Sequence, residues 1–524
     1  MSDKIVKNLS FGDKAKFEVF KGIEQLTSAV GSTLGASGKC VIMEDSNGDP
    51  IITKDGVTVA NSIILKNPIH NMGATLLKEA ARKTVKEAGD GTTTATILAH
   101  AILAEVYSSK QKDTSIRVTK QNILEAVNDV ISYIDKNSIE VSGDMIDNVA
   151  TISTNNDKEL GKLIADAFRE VGTTGVVTME ASESGNTEVE ILEGVEYNRG
   201  YSHANFTTNK EKKTAELENP VVLIMESKVD SIRQIQSVLE HVIKNNKSLL
   251  LIAEIEPPVL SALMMNKMKG NIKLNVIEPP SYGLNRKTIL DDLALLTNST
   301  IVNEDLGDDL SVIDLDYLGQ CVKASSDNER TIITVDDLSD EVLDIIKSIK
   351  KELKQKNKPH TIINLERRLA RLSAKVAIVK VGANSDIELK EKTDRVEDAI
   401  CATKAAIKEG IVPGGGIALL NASNNLKSKS IGQQCLYNAI KAPFNKILSN
   451  AGLSLTKEQD DYLVSNEGYG LDVVTGNMVN MVKEGIIDPS LVTKSALINA
   501  ASVATTIMST DCVINNVRVD ESAG

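Results

Sequence analysis

Hydrophobic residues recur at helical spacing through about the first 135 residues of the chain. The first such segment carries its apolar side chains on one helix face: Phe17, Phe20, Ile23, Leu26 and Val30. Gly31 and Gly35 follow this segment and predict where it ends. Further helices are predicted from about Met72 to Glu87, from the threonines after Gly91, and from Gln121 to Ile134. The N-terminal part of the chain is therefore expected to be mainly helical.

The pattern changes after about Ser138, where short β-branched runs alternate with helical segments. Strands are predicted in three places: 175–178, 221–224 and 249–252. A helix is predicted from Ser231 to Ile243, and strand, helix, strand is the order of an α/β unit. Pro257-Pro258 and Pro279-Pro280 are predicted to form turns.

Helical spacing returns from about Asp337, and the helices after Asp394 are rich in small residues. The charged segment from Ile345 to Leu372 is typical of a solvated helix face. Because the C-terminal helices resemble the N-terminal ones, both ends are predicted to build one discontinuous helical domain with the middle inserted into it. A chain of 524 residues is too long for one core, so about three domains and a multi-domain α+β fold are expected.

Composition narrows the class of protein. Hydrophobic residues make up 41% and charged residues 25%, the balance of a soluble globular protein. No apolar run reaches the roughly 18 residues that a membrane-spanning helix needs. The N-terminus opens with polar residues and has no apolar secretory core behind it, which predicts a cytoplasmic protein.

Charge and cysteine content exclude further classes. A formal charge of −13 and an aromatic content of 3% argue against binding to nucleic acid or to anionic lipid. The cysteines lie far apart without a C-x-x-C pair, and the histidines are also unclustered. Neither a disulfide framework nor a zinc site is therefore expected.

The strongest chemical signal is the segment Gly89-Asp90-Gly91-Thr92-Thr93-Thr94-Ala95-Thr96. Its glycines allow a tight turn, and the N–H groups of a helix start together with threonine hydroxyls can hold phosphate oxygens. Asp90 is placed to hold Mg²⁺, which neutralises the β and γ oxygens of a nucleotide. The alternative is an ordinary helix start capped by Asp and Thr, and local physics alone does not separate the two.

Other loops could meet the same ligand: Thr33–Lys39, Thr53–Thr58 and Val412–Gly416. Alone, the first is no more than a turn, and the second has the plainer interpretation of a D-G turn between two strands. The third is glycine-rich, so a ribose or a ligand backbone could approach it closely. None of these loops decides the function singly.

Together, the order and content of these segments resemble the group I (bacterial-type, 60 kDa) chaperonins. The resemblance covers essentially the whole chain. Six motifs carry it: T-L-G-x-x-G-K from residue 33, T-K-D-G-V-T-V at 53–59, A-G-D-G-T-T-T-A-T at 88–96, R-V-E-D-A at 395–399, G-I-V-P-G-G-G at 410–416 and G-I-I-D-P at 485–489.

The resemblance implies an ATPase subunit that binds non-native polypeptides within a homo-oligomeric ring, expected to have seven members. It also implies an equatorial ATP-binding domain (1–138 and 410–524), an intermediate hinge domain (139–192 and 367–409) and an α/β apical substrate-binding domain (193–366). ATP and Mg²⁺ are the implied ligands, with K⁺ as a further cation. Whether a lid-forming co-chaperonin is needed stays open.

Motif matching also implies roles for individual residues. The residues implied to bind the phosphates and Mg²⁺ are Asp90, Gly91, Thr92, Thr93 and Thr94. The residues implied to contact the nucleotide from the opposite side are Thr33, Leu34, Gly35 and Lys54. Gly415 falls at the nucleotide and Asp488 at the ribose, with Asp472, Val473 and Val474 beside the adenine. Asp398 matches the catalytic carboxylate of the family, and Asp55 matches a second one. A carboxylate that arrives on a mobile domain can switch hydrolysis on.

In the apical domain, the resemblance assigns apolar positions to the capture of unfolded chains and of a lid: Tyr201, Phe206, Leu239, Leu260, Met264 and Met265. An exposed, Met-containing surface suits promiscuous binding. The alternative for each position is an ordinary core residue. Asn205 and Gln236 are polar where the family is apolar, so capture could be weaker or differently tuned.

Departures from the family also fall where two rings would meet back to back. The replaced positions are Lys112, Asp129, Asn445, Ser454 and Lys457. Identical residues can meet across a two-fold axis, and like charges there oppose association. We therefore expect single rings to be populated.

Two other functions stay open from the sequence. The first is a soluble ATPase or phosphotransferase that acts on a small molecule, although the chain has no Walker lysine motif and no kinase signature. The second is a scaffold ring that has lost turnover, which the intact threonine loop and candidate carboxylates disfavour.

Overall fold

The computed structural model describes residues 7–516, apart from 45–47, 110–114, 142, 144, 155–156, 173–174, 183–184, 211, 280–283, 305–307, 309–312, 314, 337, 354–364, 366–367 and 384. Lys112 lies outside the described residues. The chain divides into two compact units, a first unit of Met1–Ala165 with Ala383–Gly524 and a second unit of Asp166–Gly382.

The helices are α1 (Gly12–Gly31), α2 (Gly56–Ser62), α3 (Pro68–Ala88), α4 (Thr92–Ser108), α5 (Ile116–Asn137), α6 (Met145–Ser153), α7 (Lys158–Val171), α8 (Gln236–Lys244), α9 (Pro257–Met268), α10 (Leu284–Thr297), α11 (Asp340–Leu353), α12 (Asp386–Glu409), α13 (Ile417–Asn425), α14 (Ile431–Ala439), α15 (Ala442–Asn450), α16 (Lys457–Ser465) and α17 (Ser490–Met508). Short 3₁₀ turns lie at Ala204–Phe206, Ile232–Ile235 and Leu315–Tyr317.

The strands are β1 (Lys7–Phe11), β2 (Val41–Glu44), β3 (Pro50–Thr53), β4 (Val176–Ala181), β5 (Glu188–Tyr197), β6 (Ala215–Glu218), β7 (Val221–Met225), β8 (Ser248–Ile252), β9 (Lys273–Ile277), β10 (Ile301–Val302), β11 (Gly319–Gln320), β12 (Lys323–Ser326), β13 (Thr331–Val335), β14 (Lys375–Val381), β15 (Ile411–Pro413), β16 (Tyr469–Leu471), β17 (Met478–Asn480), β18 (Ile487–Pro489) and β19 (Cys512–Asn516).

The first unit is mainly helical, and its core joins both ends of the chain. Helix α17 packs against α3, α4 and α5, while β1 pairs antiparallel with β19. Helix α17 is long and apolar enough to qualify as a membrane span by composition, contrary to the expectation that no run would qualify. About two-thirds of that helix (67%) is buried, and Leu497, Ala500 and Ala504 have no exposed surface. It is therefore the central core helix of this unit.

The second unit is built on two sheets. Strands β10, β7, β8 and β9 form a parallel sheet, with β11 added antiparallel to β7. Alternate residues of β7 face opposite layers: Val222 and Ile224 join the core cluster of α10 and α11, and Leu223 and Met225 join that of α8 and α9. A separate mixed sheet has the strand order β4-β14-β5-β13-β12-β6.

The predicted strands at 175–178, 221–224 and 249–252 coincide with β4, β7 and β8, but one local prediction in this region is wrong. Pro257-Pro258 is not a turn, because both prolines open α9, where the missing N–H groups would be unpaired in any helix. The segment predicted as helical from Ser231 to Ile243 is helical: Ser231 caps the 3₁₀ turn at Ile232–Ile235, which leads directly into α8 at Gln236.

Candidate functional site

The loop between α3 and α4 has a backbone that only glycine adopts without strain. Gly89 ends α3 with φ +76° and donates its N–H to the carbonyl oxygen of Val85, and Gly91 precedes α4 with φ +94°. A Cβ at Gly91 would lie 2.9 Å from Cγ1 of Val492. The loop therefore brings the start of α4 close to α17, and Asp90 lies at its centre.

The first turn of α4 is ready to receive an anion. Among the described residues, no side chain caps this helix start, so its first N–H groups keep their donor capacity. Thr92 is 5% exposed, and its buried hydroxyl has no hydrogen-bond partner within the described part of the chain. An unpaired donor beside an uncapped helix start is what a phosphate group would satisfy.

Asp55 lies beside this turn, and its position corrects one alternative from the sequence. Its carboxylate accepts the N–H of Val57 at 2.9 Å and of Thr58 at 2.7 Å, which makes it the N-cap of α2. The Asp-Gly pair is therefore a helix start instead of a turn between strands. Gly56 allows close contact with α4, since a Cβ there would lie 2.3 Å from Oγ1 of Thr93. Lys54, next to this cap, is exposed.

The predicted loop of Thr33, Leu34 and Gly35 directly follows α1. The side-chain amide of Asn450 donates to the carbonyl oxygens of Gly31 and Leu34, both at 2.9 Å, and Gly35 has φ +84°. The hydroxyl of Thr33 donates to the carbonyl of Val30 at 2.8 Å. This loop is therefore held by α15, and Gly31 packs on Ile97 of α4.

Asp488 forms another wall of the site. Strand β18, which carries it, pairs with β15, so Asp488 lies opposite Val412 and next to the glycines that precede α13. The N–H groups of Gly415 and Gly416 donate to its carboxylate. The pKa of Asp488 is raised to about 7, mainly by burial and also by the charge of Asp90, although the two N–H groups lower it. Asp488 and Asp90 therefore lie within electrostatic range of each other.

The hairpin of β16 and β17 carries the predicted adenine residues. Asp472 accepts the N–H of Val474 at 2.9 Å and the hydroxyl of Thr475 at 2.6 Å, so its carboxylate stabilises its own turn. Val473 packs against the cluster that contains Ile417 at the start of α13, whereas Val474 is 70% exposed. The hairpin thus lies beside Gly415 and Gly416.

Asp398 lies on α12 and faces the same group of carboxylates. Burial raises the pKa of Asp398 well above its usual range, and the charges of Asp90 and Asp55 raise it further. Many protein atoms surround the Asp398 side chain, yet part of it is still accessible to solvent. A side chain that lines a cleft has both properties. The structure therefore brings Asp398 together with both the α4 start and the α2 start.

Asp394 belongs to the same cluster and was missed from the sequence as a site residue. Burial raises its pKa to about 6, and the charge of Asp55 is the next contribution. Residues four apart lie on one face of a helix, so the spacing between Asp394 and Asp398 is the signal that could have revealed it. Its carboxylate adds to the negative charge that faces the α4 start.

This donor set fits a magnesium nucleotide. Burial raises the pKa of Asp90, which means that the isolated site holds its negative charge at a cost, and a bound cation would relieve that cost. Within the described residues, no three His, Cys, Asp or Glu groups converge as a complete metal site. Mg²⁺ usually takes one or two carboxylates and completes its coordination with substrate phosphates and water. Asp90 beside the uncapped helix start meets that need.

The predicted client-binding residues lie in the second unit and differ widely in exposure. Tyr201, Leu239, Leu260 and Met264 are half-buried against one core cluster, and Met265 is 57% exposed. Phe206 has no exposed surface in this structure and is a core residue, because the 3₁₀ turn that carries it packs against α9. It cannot contact a client in this conformation.

The two polar replacements on this surface have partners of their own. The side-chain amide of Asn205 donates to Sδ of Met264 at 3.9 Å, and the side chain of Gln236 donates to Glu240 at 2.7 Å. The backbone carbonyl oxygen of Asn205 accepts a hydrogen bond from Lys267 at 2.9 Å. Lys267 also donates to the carbonyl of Thr207 at 2.6 Å, which fixes the 204–207 turn to α9. Both replacements stay exposed, so the surface around Met265 is only partly apolar.

The replaced positions of the expected ring-to-ring surface are also exposed where they are described. Asn445, Ser454 and Lys457 lie around the connection from α15 to α16. Asp129, on α5, accepts a hydrogen bond from the Tyr437 hydroxyl at 3.2 Å. These side chains are therefore available at the surface of the first unit.

The arrangement is an uncapped helix start faced by carboxylates, which suits the binding of a magnesium nucleotide. The model of the TCP-1/cpn60 chaperonin family matches residues 26–518. The chain belongs to this family and is an ATP-dependent chaperonin with chaperonin ATPase activity. Chaperonins of this family act on client polypeptides as oligomeric rings.

Two solved structures have the same fold. Both are crystal structures of the chaperonin gp146 from the bacteriophage EL 2 (Pseudomonas aeruginosa) in presence of ATP-BeFx. Crystal form II matches with a TM-score of 0.72 and 22% identity, over 99% of this chain and 100% of that chain. Crystal form I matches with a TM-score of 0.65 and 23% identity, over 97% of this chain and 99% of that chain.

Proposed function

We propose that ATP binds at the start of α4 and is hydrolysed there by water that Asp398 orients. The observation that carries this proposal is the unpaired, buried hydroxyl of Thr92 at an uncapped helix start, with Asp398 among the carboxylates that face it. The N–H groups of Gly91 to Thr94 hold phosphate oxygens, and Asp488 of β18, which accepts the N–H groups of the glycines before α13, holds the ribose. Crystallisation of gp146 in presence of ATP-BeFx supports a nucleotide at this fold.

Asp398 has the properties of a base for this reaction. A carboxylate with a raised pKa is a stronger proton acceptor than an ordinary one, and from its place among the carboxylates that face the α4 start it would orient the attacking water in line with the γ-phosphate. Asp55 is fixed as the N-cap of α2, so its carboxylate keeps a constant position beside the reacting groups. Mg²⁺, held at Asp90, supplies neutralisation of the phosphate charge, and K⁺ is a candidate for a second cation.

The assembly that we propose is a single homo-oligomeric ring of seven subunits that captures non-native polypeptides. The domains follow the family division, with an equatorial part (1–138 and 410–524), an intermediate part (139–192 and 367–409) and an apical part (193–366). Clients bind through Tyr201, Leu239, Leu260, Met264 and Met265, and a lid protein, if used, binds the same surface. We place the protein in the cytoplasm, where its cysteines stay reduced. Light scattering tests the ring number, and a stable mass of two rings on dilution would contradict it.

Replacement of Asp398 tests the mechanism. Asp398→Ala should keep ATP binding and ring assembly but lose hydrolysis by about 10²- to 10⁴-fold, the usual contribution of a general base. Phosphate release and equilibrium nucleotide binding would be measured in parallel. Lys408→Ala, at an exposed position of the same helix, is the control and should turn over at the wild-type rate. Normal phosphate release by Asp398→Ala would refute the mechanism.

A further inference from the structure

Helix α12 and the end of α3 approach each other with almost no side chain between them. A Cβ built on Gly89 would lie 2.4 Å from Cβ and 2.7 Å from Sγ of Cys401. Real Cβ atoms do not come this close, so Gly89 must lack a side chain for α12 to lie where it does. Gly89 is also the residue that turns the chain from α3 into the loop of Asp90 and Gly91. Cys401 therefore touches the base of the proposed phosphate loop.

Small residues continue this contact along α12. Ala405, one turn beyond Cys401, packs in a cluster with Ala88 of α3 and Val492 of α17. Val492 also limits the space beside Gly91, whose Cβ position lies 2.9 Å from its Cγ1. The helix that carries Asp398 and the loop that carries Asp90 therefore pack on one cluster of closely spaced residues, the hinge cluster, which consists of Ala88, Gly89, Cys401, Ala405 and Val492.

Asp398 precedes Cys401 by three residues on α12. Residues three apart share a helix face, so the side chain that touches Gly89 and the side chain that faces Asp90 point to the same side of the helix. A larger side chain at position 401 must move α12 outward, because it would meet backbone atoms of Gly89, and Gly89 has no side chain that could shift aside. Such a shift carries Asp398 away from the loop.

We propose that Cys401 is a positioning residue that sets how closely α12 brings Asp398 to the phosphate loop. The proposal rests on the proposed role of Asp398 in hydrolysis. Because the hinge cluster contacts the loop on the side away from the proposed phosphates, a larger side chain at 401 affects the reaction step and leaves nucleotide binding nearly intact. A misplacement of about 1 Å at a reacting group is enough to cost on the order of 100-fold in rate.

The experiment measures kcat and KM for ATP on the full-length assembled protein with three substitutions. Cys401→Leu should lower kcat by about tenfold or more with little change in KM, since the chemical step alone loses its geometry. Cys401→Ser, which keeps the volume, should restore kcat to within about twofold of wild type. Lys408→Leu adds a comparable apolar side chain at an exposed position of the same helix and should leave both constants unchanged.

A chemical modification gives a second route if Cys401→Leu does not assemble. Methyl methanethiosulfonate transfers an S-methyl group to a thiolate of the folded protein, with a new S–S bond and release of methanesulfinate. Modification of Cys401, verified by peptide mass, should lower kcat in the wild type, have no effect on kcat in Cys401→Ser, and be reversed by dithiothreitol. Unchanged kcat in modified wild type would overturn the proposal.

Parallel assays separate this inference from the mechanism on which it rests. If Asp398→Ala loses turnover while Cys401→Leu keeps its kcat, or raises KM instead, the positioning role is wrong and the role of Asp398 stands. If Cys401→Ser is as impaired as Cys401→Leu, volume is not the cause and the proposal is also wrong. If Asp398→Ala keeps normal turnover, the proposed mechanism itself fails.

Discussion

The nucleotide site of the first unit and the client surface of the second unit are built in opposite ways. The loop and the helix starts that carry the proposed phosphate contacts are fixed by their backbone, through the positive φ angles of Gly89 and Gly91 and through the cap at Asp55. The client surface consists of partly exposed side chains, of which Met265 is 57% exposed and flexible. Chemistry on one defined ligand needs fixed donors, whereas capture of many sequences needs side chains that can repack.

The largest expected effect separates core from surface within the client-binding unit. Phe206→Ala should destabilise the protein by about 3–5 kcal/mol, because a fully buried aromatic side chain leaves a cavity. Met265→Ala should change stability by less than about 0.5 kcal/mol and should reduce capture of a denatured client. Thermal unfolding and co-sedimentation with an unfolded substrate would measure the two effects. Equal destabilisation by both variants would contradict the assignment of Phe206 to the core and of Met265 to the surface.

The next effect tests how strictly the phosphate loop depends on its backbone. Gly91→Ala puts a Cβ into a left-handed conformation and against Val492, so ATP affinity should fall by about tenfold or more and the melting temperature should drop. Gly48→Ala is the matched control, because Gly48 has φ +91° with open space around the Cβ position. Calorimetric titration measures the affinity. Equal affinity losses in the two variants would show that strain alone, and not the loop, is responsible.

A smaller effect should change stability and affinity in opposite directions. Thr92→Val removes a buried hydroxyl that has no partner among the described residues, so the unliganded protein should be as stable as wild type or more so. ATP affinity should fall by about fivefold to tenfold, which corresponds to the net contribution of one hydrogen bond, about 1–1.4 kcal/mol. Thr96→Val is the control, since Thr96 donates to the carbonyl of Thr92 at 2.8 Å. Unchanged ATP affinity in Thr92→Val would show that the Thr92 hydroxyl does not bind the nucleotide.

The smallest effect is a pH dependence of the unliganded site. The pKa values of Asp488 and Asp394 are raised to about 7 and about 6, so the folded chain holds more protons than the unfolded chain between about pH 4 and 7. Stability of the unliganded protein should therefore fall as pH rises through that window and level off above it. Asp488→Asn should flatten the upper part of this curve in melting measurements. A wild-type curve with the same slope as that of Asp488→Asn from pH 5 to 7 would contradict the shift assigned to Asp488.

The sequence predicted the helical elements well because their periodicity and their end signals agree. The segment from Met72 to Glu87 lies inside α3, whose start at Pro68 follows from the Asn67 cap and whose end follows from Gly89. The Pro257 prediction failed because proline suits both a turn and the first turn of a helix, and only packing of α9 against its sheet distinguishes them. The burial of Phe206 follows from tertiary packing that no local pattern contains.

For the site, the sequence supplied the residue types and left their distances unknown. The motif series placed Asp90, Asp55 and Asp398 in one site, and the structure shows that their charges interact. Asp394 could have been found from its spacing to Asp398, but nothing local marks it as buried. The contact of Cys401 with Gly89 joins residues more than 300 positions apart and could come only from the fold.

The most direct test of the central claim is electron microscopy of the protein with and without an ATP analogue that carries a γ-phosphate mimic. We expect a single ring in which the phosphates lie on the Gly89–Thr94 loop, the ribose lies at Asp488, and Asp398 faces the γ-phosphate. Nucleotide density at another location, or Asp398 turned away from a fully bound nucleotide, would contradict this account.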